Sequence, residues 1–186
     1  MSDSDVSYGP LAGLIGEWQG DGGTDVAPEP DGVEESPYYE TITFEAGGDV
    51  DNAESQTLSI VPYRQVVRRK SNDEVFHHQL GYWLWDPAAG TVVQSLTIPR
   101  AVCCLAGGVF EGDVNAAEIV LEVASKLGDE DWGIIQSPFM RDNATTLAFE
   151  HRLVLAGDEL RYAETTYLEI YGRKFEHTDE NVLKRV

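Results

Sequence analysis

The stretch LIGEWQGDGG, residues 14–23, decides the fold. Its aromatic residue, Trp18, alternates with three glycines, Gly16, Gly20 and Gly22. In a first strand the tryptophan points to one face only, where it would close the base of a barrel. The glycines permit a sharp bend and the close approach of neighbouring backbones. The preceding PLAGLIG, residues 10–16, is the only segment with a helical pattern, and it is long enough for a turn or two.

The rest of the chain alternates short β-type segments with turn signals. Nine further strands are predicted, at 38–46, 53–67, 74–85, 91–98, 101–107, 117–125, 131–140, 145–155 and 159–170. The acidic, proline-containing residues 24–37 predict one long loop. An antiparallel series of about ten strands hides its edges best by closing into a barrel wide enough for a small ligand. We therefore expect an all-β chain, one calycin-like or lipocalin-like closed barrel over residues 1–186, with a β-sandwich as the alternative.

Acidic residues dominate the charge of the chain. Its 186 residues include 33 Asp and Glu against 13 Lys and Arg, a formal net charge of −20. Such a surface repels nucleic-acid phosphates and anionic lipid, so neither nucleic acid nor a membrane is an expected partner. No stretch approaches the roughly 18 consecutive apolar residues of a membrane span.

The cellular location, the state of the cysteines and the oligomeric state are also predicted from simple features of the sequence. The polar start MSDSDVSYGP lacks the pattern of a secretory signal, which favours a cytoplasmic protein. Cys103 and Cys104 are adjacent, so they close no loop and are expected to be reduced thiols on opposite faces of a strand. A two-fold homodimer is the default expectation for the assembly.

Four segments together resemble one family of haem proteins. LIGEWQGDGG, YYETITF, HHQLGYW and the C-terminal LAGDELRYAETTYLEIYGRKFEHTDENVLKR are similar to segments of the nitrobindins, and the likeness covers nearly the whole chain. The resemblance implies a barrel that binds b-type haem in an open pocket, through a histidine at the end of the last strands. It also implies a reaction with nitric oxide and, as in some members, isomerisation of peroxynitrite to nitrate.

The resemblance singles out two histidines. Near the C-terminus the family order of glycine, apolar residue, haem histidine, leucine and basic residue is matched by Gly172, Phe175, His177, Leu183 and Lys184. This implies that His177 is the axial iron ligand, although an ungapped overlay places Thr178 at the histidine position. His77, four residues before a glycine, matches a histidine that lines the haem pocket. Plain alternation instead places His78 on the apolar face, with Phe76, Leu80, Tyr82 and Leu84.

Other functions stay open. His151 shares a face with Leu147, Phe149, Leu153 and Leu155, which favours a buried, hydrogen-bonded histidine over a metal ligand. No HxH or HxxxH spacing indicates zinc, no catalytic residue is assigned, and any enzyme activity depends on haem. The alternative function is a haem-free barrel that carries a small apolar ligand, with Tyr82, Trp83, Trp85 and Phe149 as lining. A third reading is a barrel that acts through its surface.

Overall fold

Ten strands close into an antiparallel barrel in the computed structural model, which describes residues 6–186. The first half of the chain contains a 3-10 helix (Gly9–Leu14) and strands β1 (Gly16–Gly20), β2 (Thr24–Glu29), β3 (Gly32–Phe44), β4 (Asp49–Ala53), β5 (Gln56–Arg69), β6 (Val75–Asp86) and β7 (Thr91–Ile98). The second half contains β8 (Val102–Val109), β9 (Glu118–Lys126), β10 (Ile134–Gln136), helix α1 (Pro138–Asn143), β11 (Ala144–Ala156), β12 (Glu159–Ile170) and β13 (Arg173–Arg185). Part of the polar start that favours a cytoplasmic protein, residues 1–5, lies outside the described residues.

The order of strands around the barrel is β3-β1-β13-β12-β11-β9-β8-β7-β6-β5, and β5 returns to β3. The closing ladder runs from Tyr38 opposite Arg69 to Phe44 opposite Tyr63. Strands β2, β4 and β10 are additional and pair with β3, β5 and β8. The predicted barrel of about ten strands with a short N-terminal helical turn is confirmed.

Trp18 closes the base of this barrel, as its sequence context predicts. The side chain is fully buried, and its Nε1 donates a hydrogen bond to the Leu14 carbonyl oxygen at 2.7 Å. The Arg185 guanidinium lies over the ring, with Cζ 4.2 Å from the ring centroid, and donates to carbonyl oxygens at the end of the 3-10 helix. A Cβ at Gly20 would lie 2.9 Å from the Val182 carbonyl oxygen, so β1 and β13 approach closely here.

The predicted loop at 24–37 is wrong. Residues 24–29 and 32–37 form a β-hairpin, from Thr24 opposite Pro37 to Glu29 opposite Gly32. Its proline-containing strand β2 lies at the edge of the sheet, where a residue without an N–H is tolerated. The segment between the predicted strands 38–46 and 53–67 also contains a short strand, β4.

The predicted strand at 131–140 is mostly wrong as well. Only Ile134–Gln136 is extended, and α1 follows. Ser137 caps this helix, because its side chain accepts a hydrogen bond from the Met140 N–H and a proline occupies the first turn. The Ser-Pro pair was the sequence signal for this helix start.

Candidate functional site

Strand β13 places His177 inside the mouth of the barrel. Along this strand the inward positions are Phe175, His177, Asp179, Asn181 and Leu183, and the residues between them are exposed. Thr178, which an ungapped overlay aligns with the family histidine, therefore faces solvent. Because successive side chains of a strand alternate, the neighbouring histidine is the one that faces the barrel.

Strand β6 faces the opposite way from the plain alternation argument. Its buried side chains are Gln79, Trp83 and Trp85, so His77 is on the inner face and His78 on the outer face. His78 accepts a hydrogen bond from Arg64 Nε at 3.1 Å. The alternation argument for His78 fails, because the outer face of β6 is also apolar and resembles a core face, whereas the family pattern indicated His77.

The two inward histidines lie at the same end of the barrel. Burial lowers the pKa of His77, and the nearby charge of His177 lowers it further, against a hydrogen bond to Gln79 that raises it. His77 is therefore neutral near pH 7. Its Nε2 lies 3.3 Å from Gln79 Oε1, so that this nitrogen carries the proton and donates.

A carboxylate from the β2–β3 hairpin is hydrogen-bonded to the His177 ring. Asp25 Oδ1 lies 2.6 Å from His177 Nε2, and the Asp25 side chain is buried. Burial lowers the pKa of His177, but the hydrogen bond and the charge of Asp25 outweigh it and raise the pKa above its ordinary value. Arg173 holds the tip of the same hairpin by donating to the carbonyl oxygens of Glu29 and Gly32. The hairpin thus lies against β13 and covers His177.

Below the mouth, the barrel contains a buried acidic network. Glu40 is 2% exposed and accepts hydrogen bonds from Tyr162 Oη at 2.9 Å, Asn181 Nδ2 at 2.8 Å and Gln65 Nε2 at 2.7 Å. Burial raises the pKa of Glu40 to about 7 in spite of these donors. Burial also raises the pKa of Glu164, to about 8. The interior therefore holds carboxyl groups that titrate near neutral pH.

Tyr38 connects this network to β13. Its hydroxyl lies 2.9 Å from Tyr162 Oη and donates to Asp179. Burial raises the pKa of Asp179 to about 6. These tyrosines and acids were not predicted as site residues, and the signal that would have found them is their inward position on β3, β12 and β13.

A second network joins the mouth to the middle of the barrel. Tyr63 Oη accepts from Gln79 Nε2 at 2.6 Å and from Gln94 Nε2 at 2.9 Å. Gln94 Oε1 lies 2.9 Å from His151 Nδ1. Five side chains, His77, Gln79, Tyr63, Gln94 and His151, thus form a continuous chain of hydrogen bonds.

Of the four residues predicted to line an apolar pocket, three lie in the interior and one lies on the outer face. Trp83 lines a small internal cavity, Phe149 and Trp85 are buried, and Trp85 packs near the base against Phe110 with ring centroids 5.9 Å apart. Tyr82 is 50% exposed on the outer face, so its assignment to the lining is wrong.

Both cysteines lie as predicted, on opposite faces of β8. Cys103 is exposed and Cys104 is buried, and both are free thiols. Cys104 Sγ lies 2.7 Å from Ser125 Oγ.

Within residues 6–186, no group of three or more His, Cys, Asp or Glu side chains is placed to hold a metal ion. No helix of the same residues is long and apolar enough to cross a membrane.

Comparison with known proteins decides the family. The sequence model of the THAP4-like, heme-binding beta-barrel domain matches residues 7–185. The chain belongs to this family, the nitrobindin family. The inferred resemblance is confirmed, and haem is the class of ligand that the family indicates.

One solved structure supports the same fold. The crystal structure of Rv2717c from M. tuberculosis matches with a TM-score of 0.69 and 21% identity, over 95% of this chain and 94% of that chain. At this identity the likeness shows the fold alone. No curated protein matches the chain.

The residues of the mouth fit haem in their chemistry but not in their present arrangement. Haem iron is commonly held by a histidine nitrogen, and His177 supplies one on the inner face. Iron needs a free nitrogen lone pair, whereas His177 Nε2 lies against Asp25 Oδ1. The Asp25 carboxylate would have to leave this nitrogen before His177 could hold a haem iron through it.

Proposed function

We propose that the chain binds b-type haem at the mouth of the barrel, with His177 as the axial ligand and His77 as a pocket residue. The observation that carries this proposal is the pair of inward imidazoles at one end of a nitrobindin-family barrel. Bound haem would supply the chemistry of nitric oxide binding and of peroxynitrite isomerisation. The protein supplies the ligand, restricts access and sets the polarity of the pocket.

Asp25 controls access to His177 in this proposal. The hydrogen bond between their side chains closes the mouth, and the hairpin that carries Asp25 is held at its tip by Arg173. Haem binding therefore requires the β2–β3 hairpin to move away from β13. Burial keeps the His77 ring neutral, and Gln79 fixes which nitrogen carries the proton by accepting from Nε2–H, so the free Nδ1 of His77 can accept a hydrogen bond.

Haem titration tests the proposal. Purified wild type, His177→Ala and Thr178→Ala are titrated with haem, and the Soret band is recorded. We expect saturation at one haem per chain in wild type and Thr178→Ala, and loss of the specific band in His177→Ala. Thr178→Ala is the matched control, because its side chain faces solvent on the same strand.

Two other results would contradict parts of the proposal. A specific band that survives in His177→Ala would move the iron ligand to another residue, and His77→Ala and His151→Ala would then be titrated. A lack of any specific band in wild type would remove the haem function altogether. The haem-free carrier of an apolar ligand would then be the function to test, with a fluorescent fatty acid as the probe.

The proposal also covers the setting of this activity. We place the protein in the cytoplasm as a single nitrobindin-like domain over residues 1–186, with its cysteines reduced. Thiol titration of protein purified from its own cells under non-reducing conditions tests the redox state. Two reactive thiols per unfolded chain are expected, and fewer would indicate an oxidising compartment.

A further inference from the structure

His151 presents a bare nitrogen to the interior of the barrel. Its side chain is 9% exposed, and its Nε2 is buried with no hydrogen-bond partner among the described residues. A buried polar atom without a partner costs roughly 1–3 kcal/mol, and native proteins rarely leave one unpaired. Something outside the polypeptide therefore satisfies this nitrogen.

The hydrogen-bond chain from the mouth determines what this partner must be. Gln94 donates its amide to Tyr63 and offers Oε1 to His151, so His151 Nδ1 carries the proton. Burial lowers the pKa of His151 to about 4, and the neutral ring leaves Nε2 as an acceptor. The missing partner is therefore a hydrogen-bond donor.

The space beside His151 limits the size of this donor. The cavity has a volume of about 10 Å³. It is lined by polar groups of Tyr63, Gln65, Gln94, His151, Tyr162 and Glu164, and by apolar side chains that include Trp83, Leu153 and Leu160. A cavity of roughly 10–15 Å³ accommodates one water molecule, which needs two to four polar partners. The Tyr63 hydroxyl can donate a hydrogen bond to such a water, because its oxygen accepts two hydrogen bonds and its own proton is not used in either of them.

We propose that this cavity is a binding site for one small neutral molecule, a water, which donates to His151 Nε2 and accepts from the hydroxyl or carboxyl groups around it. The ligand class follows from the nitrogen and the volume: a donor of the size of water, which excludes diatomic gases as the resident molecule. The site is separate from His177 and does not depend on haem binding.

Two measurements on the haem-free wild type test this site. A high-resolution crystal structure should show one ordered water at about 3 Å from His151 Nε2. In solution, NMR should show the proton of the His151 ring on Nδ1 and a cross-peak between water and the ring Hε1. A cavity without density, or a ring with its proton on Nε2, would overturn the proposal.

A variant of Gln94 adds a control that leaves the histidine in place. In Gln94→Leu the acceptor for Nδ1–H is lost, so we expect the form with the proton on Nε2 to rise at least about tenfold. Gln56→Leu, in which an exposed amide is replaced, should leave the His151 ring unchanged. If the proton of the His151 ring stays on Nδ1 in Gln94→Leu, the proposed water site is also contradicted. The chain of hydrogen bonds would then not determine which ring nitrogen accepts a hydrogen bond.

Discussion

The two ends of the barrel are built from the same strands but from opposite kinds of side chain. On β13 the inward residues change from Leu183 at the base to Asn181, Asp179 and His177 towards the mouth. On β3 they change from Phe44 and Ile42 to Glu40 and Tyr38, and on β12 from Leu160 to Tyr162 and Glu164. The base is sealed by apolar contacts, while the mouth is closed by hydrogen bonds and ion pairs.

This difference separates stability from function within one fold. Apolar burial at the base is favourable at every pH, because none of its groups titrates. Buried carboxyl groups near the mouth are costly when charged, and proteins keep such groups where chemistry or binding needs them. We expect substitutions at the base to change stability and substitutions at the mouth to change pH dependence and ligand binding.

Trp18→Ala should have the largest effect on stability. Removal of this fully buried ring leaves a cavity under the 3-10 helix and should lower the free energy of unfolding by about 3–5 kcal/mol. Urea unfolding followed by circular dichroism measures the loss. Gln19→Ala, an exposed neighbour on the same strand, should stay within about 0.5 kcal/mol of wild type. A loss below about 1 kcal/mol for Trp18→Ala would contradict its role at the base.

Glu164→Gln should change how stability depends on pH. Burial raises the pKa of Glu164 to about 8, from its ordinary value of 4.5 in the unfolded chain. Between these values the folded state binds more protons, so the contribution of Glu164 to stability is present at low pH and falls as pH rises. The neutral glutamine removes this loss and should make the variant more stable than wild type above pH 8, by on the order of 2 kcal/mol.

Thermal unfolding between pH 5 and pH 9 measures this effect. Glu169→Gln is the matched control, because it lies on the same strand and is exposed. If Glu164→Gln and Glu169→Gln shift the melting temperature equally at all pH values, the carboxyl group of Glu164 does not titrate in the folded interior as described.

Asp25→Asn should strengthen haem binding by several-fold. The substitution weakens the hydrogen bond that occupies His177 Nε2, which is worth roughly 1 kcal/mol net. Soret titration of the variant beside Asp31→Asn, an exposed change at the hairpin tip, measures the difference. Weaker binding in Asp25→Asn would mean that Asp25 supports the ligating histidine instead of competing for it.

Glu122→Gln should have the smallest effect. Its ion pair with Arg152 lies on the outer face, with both side chains more than half exposed. Exposed pairs of this kind contribute about 0–1 kcal/mol, so urea unfolding should shift only slightly. A loss as large as that of Trp18→Ala would show that the outer charges, and not the base, dominate stability.

Much of the fold could be predicted from local pattern. The glycine-rich stretch around Trp18, the turn signals and the strand spacing together predict a barrel of about ten strands. The predicted bounds of β7, β11 and β12 agree with the structure to within one residue. Errors arose where a turn residue has two uses. Pro28 belongs to an edge strand and not to a loop, and the Ser137–Pro138 pair begins a helix and not the end of a strand.

The amino-acid sequence by itself determined the all-β class, the sealed base and the two histidines that the family pattern marks. Only the tertiary structure decided which face of each strand is inside. The outer face of β6 is apolar, and its inner face carries the polar His77 and Gln79 at the mouth end. Hydrophobic alternation alone therefore assigned His78 to the core and His77 to the surface. Asp25 and His177 are 152 positions apart, and no local pattern reports a hydrogen bond between them. Such partners are set by strand register across the closed barrel, where one residue of displacement turns a side chain from the interior to solvent.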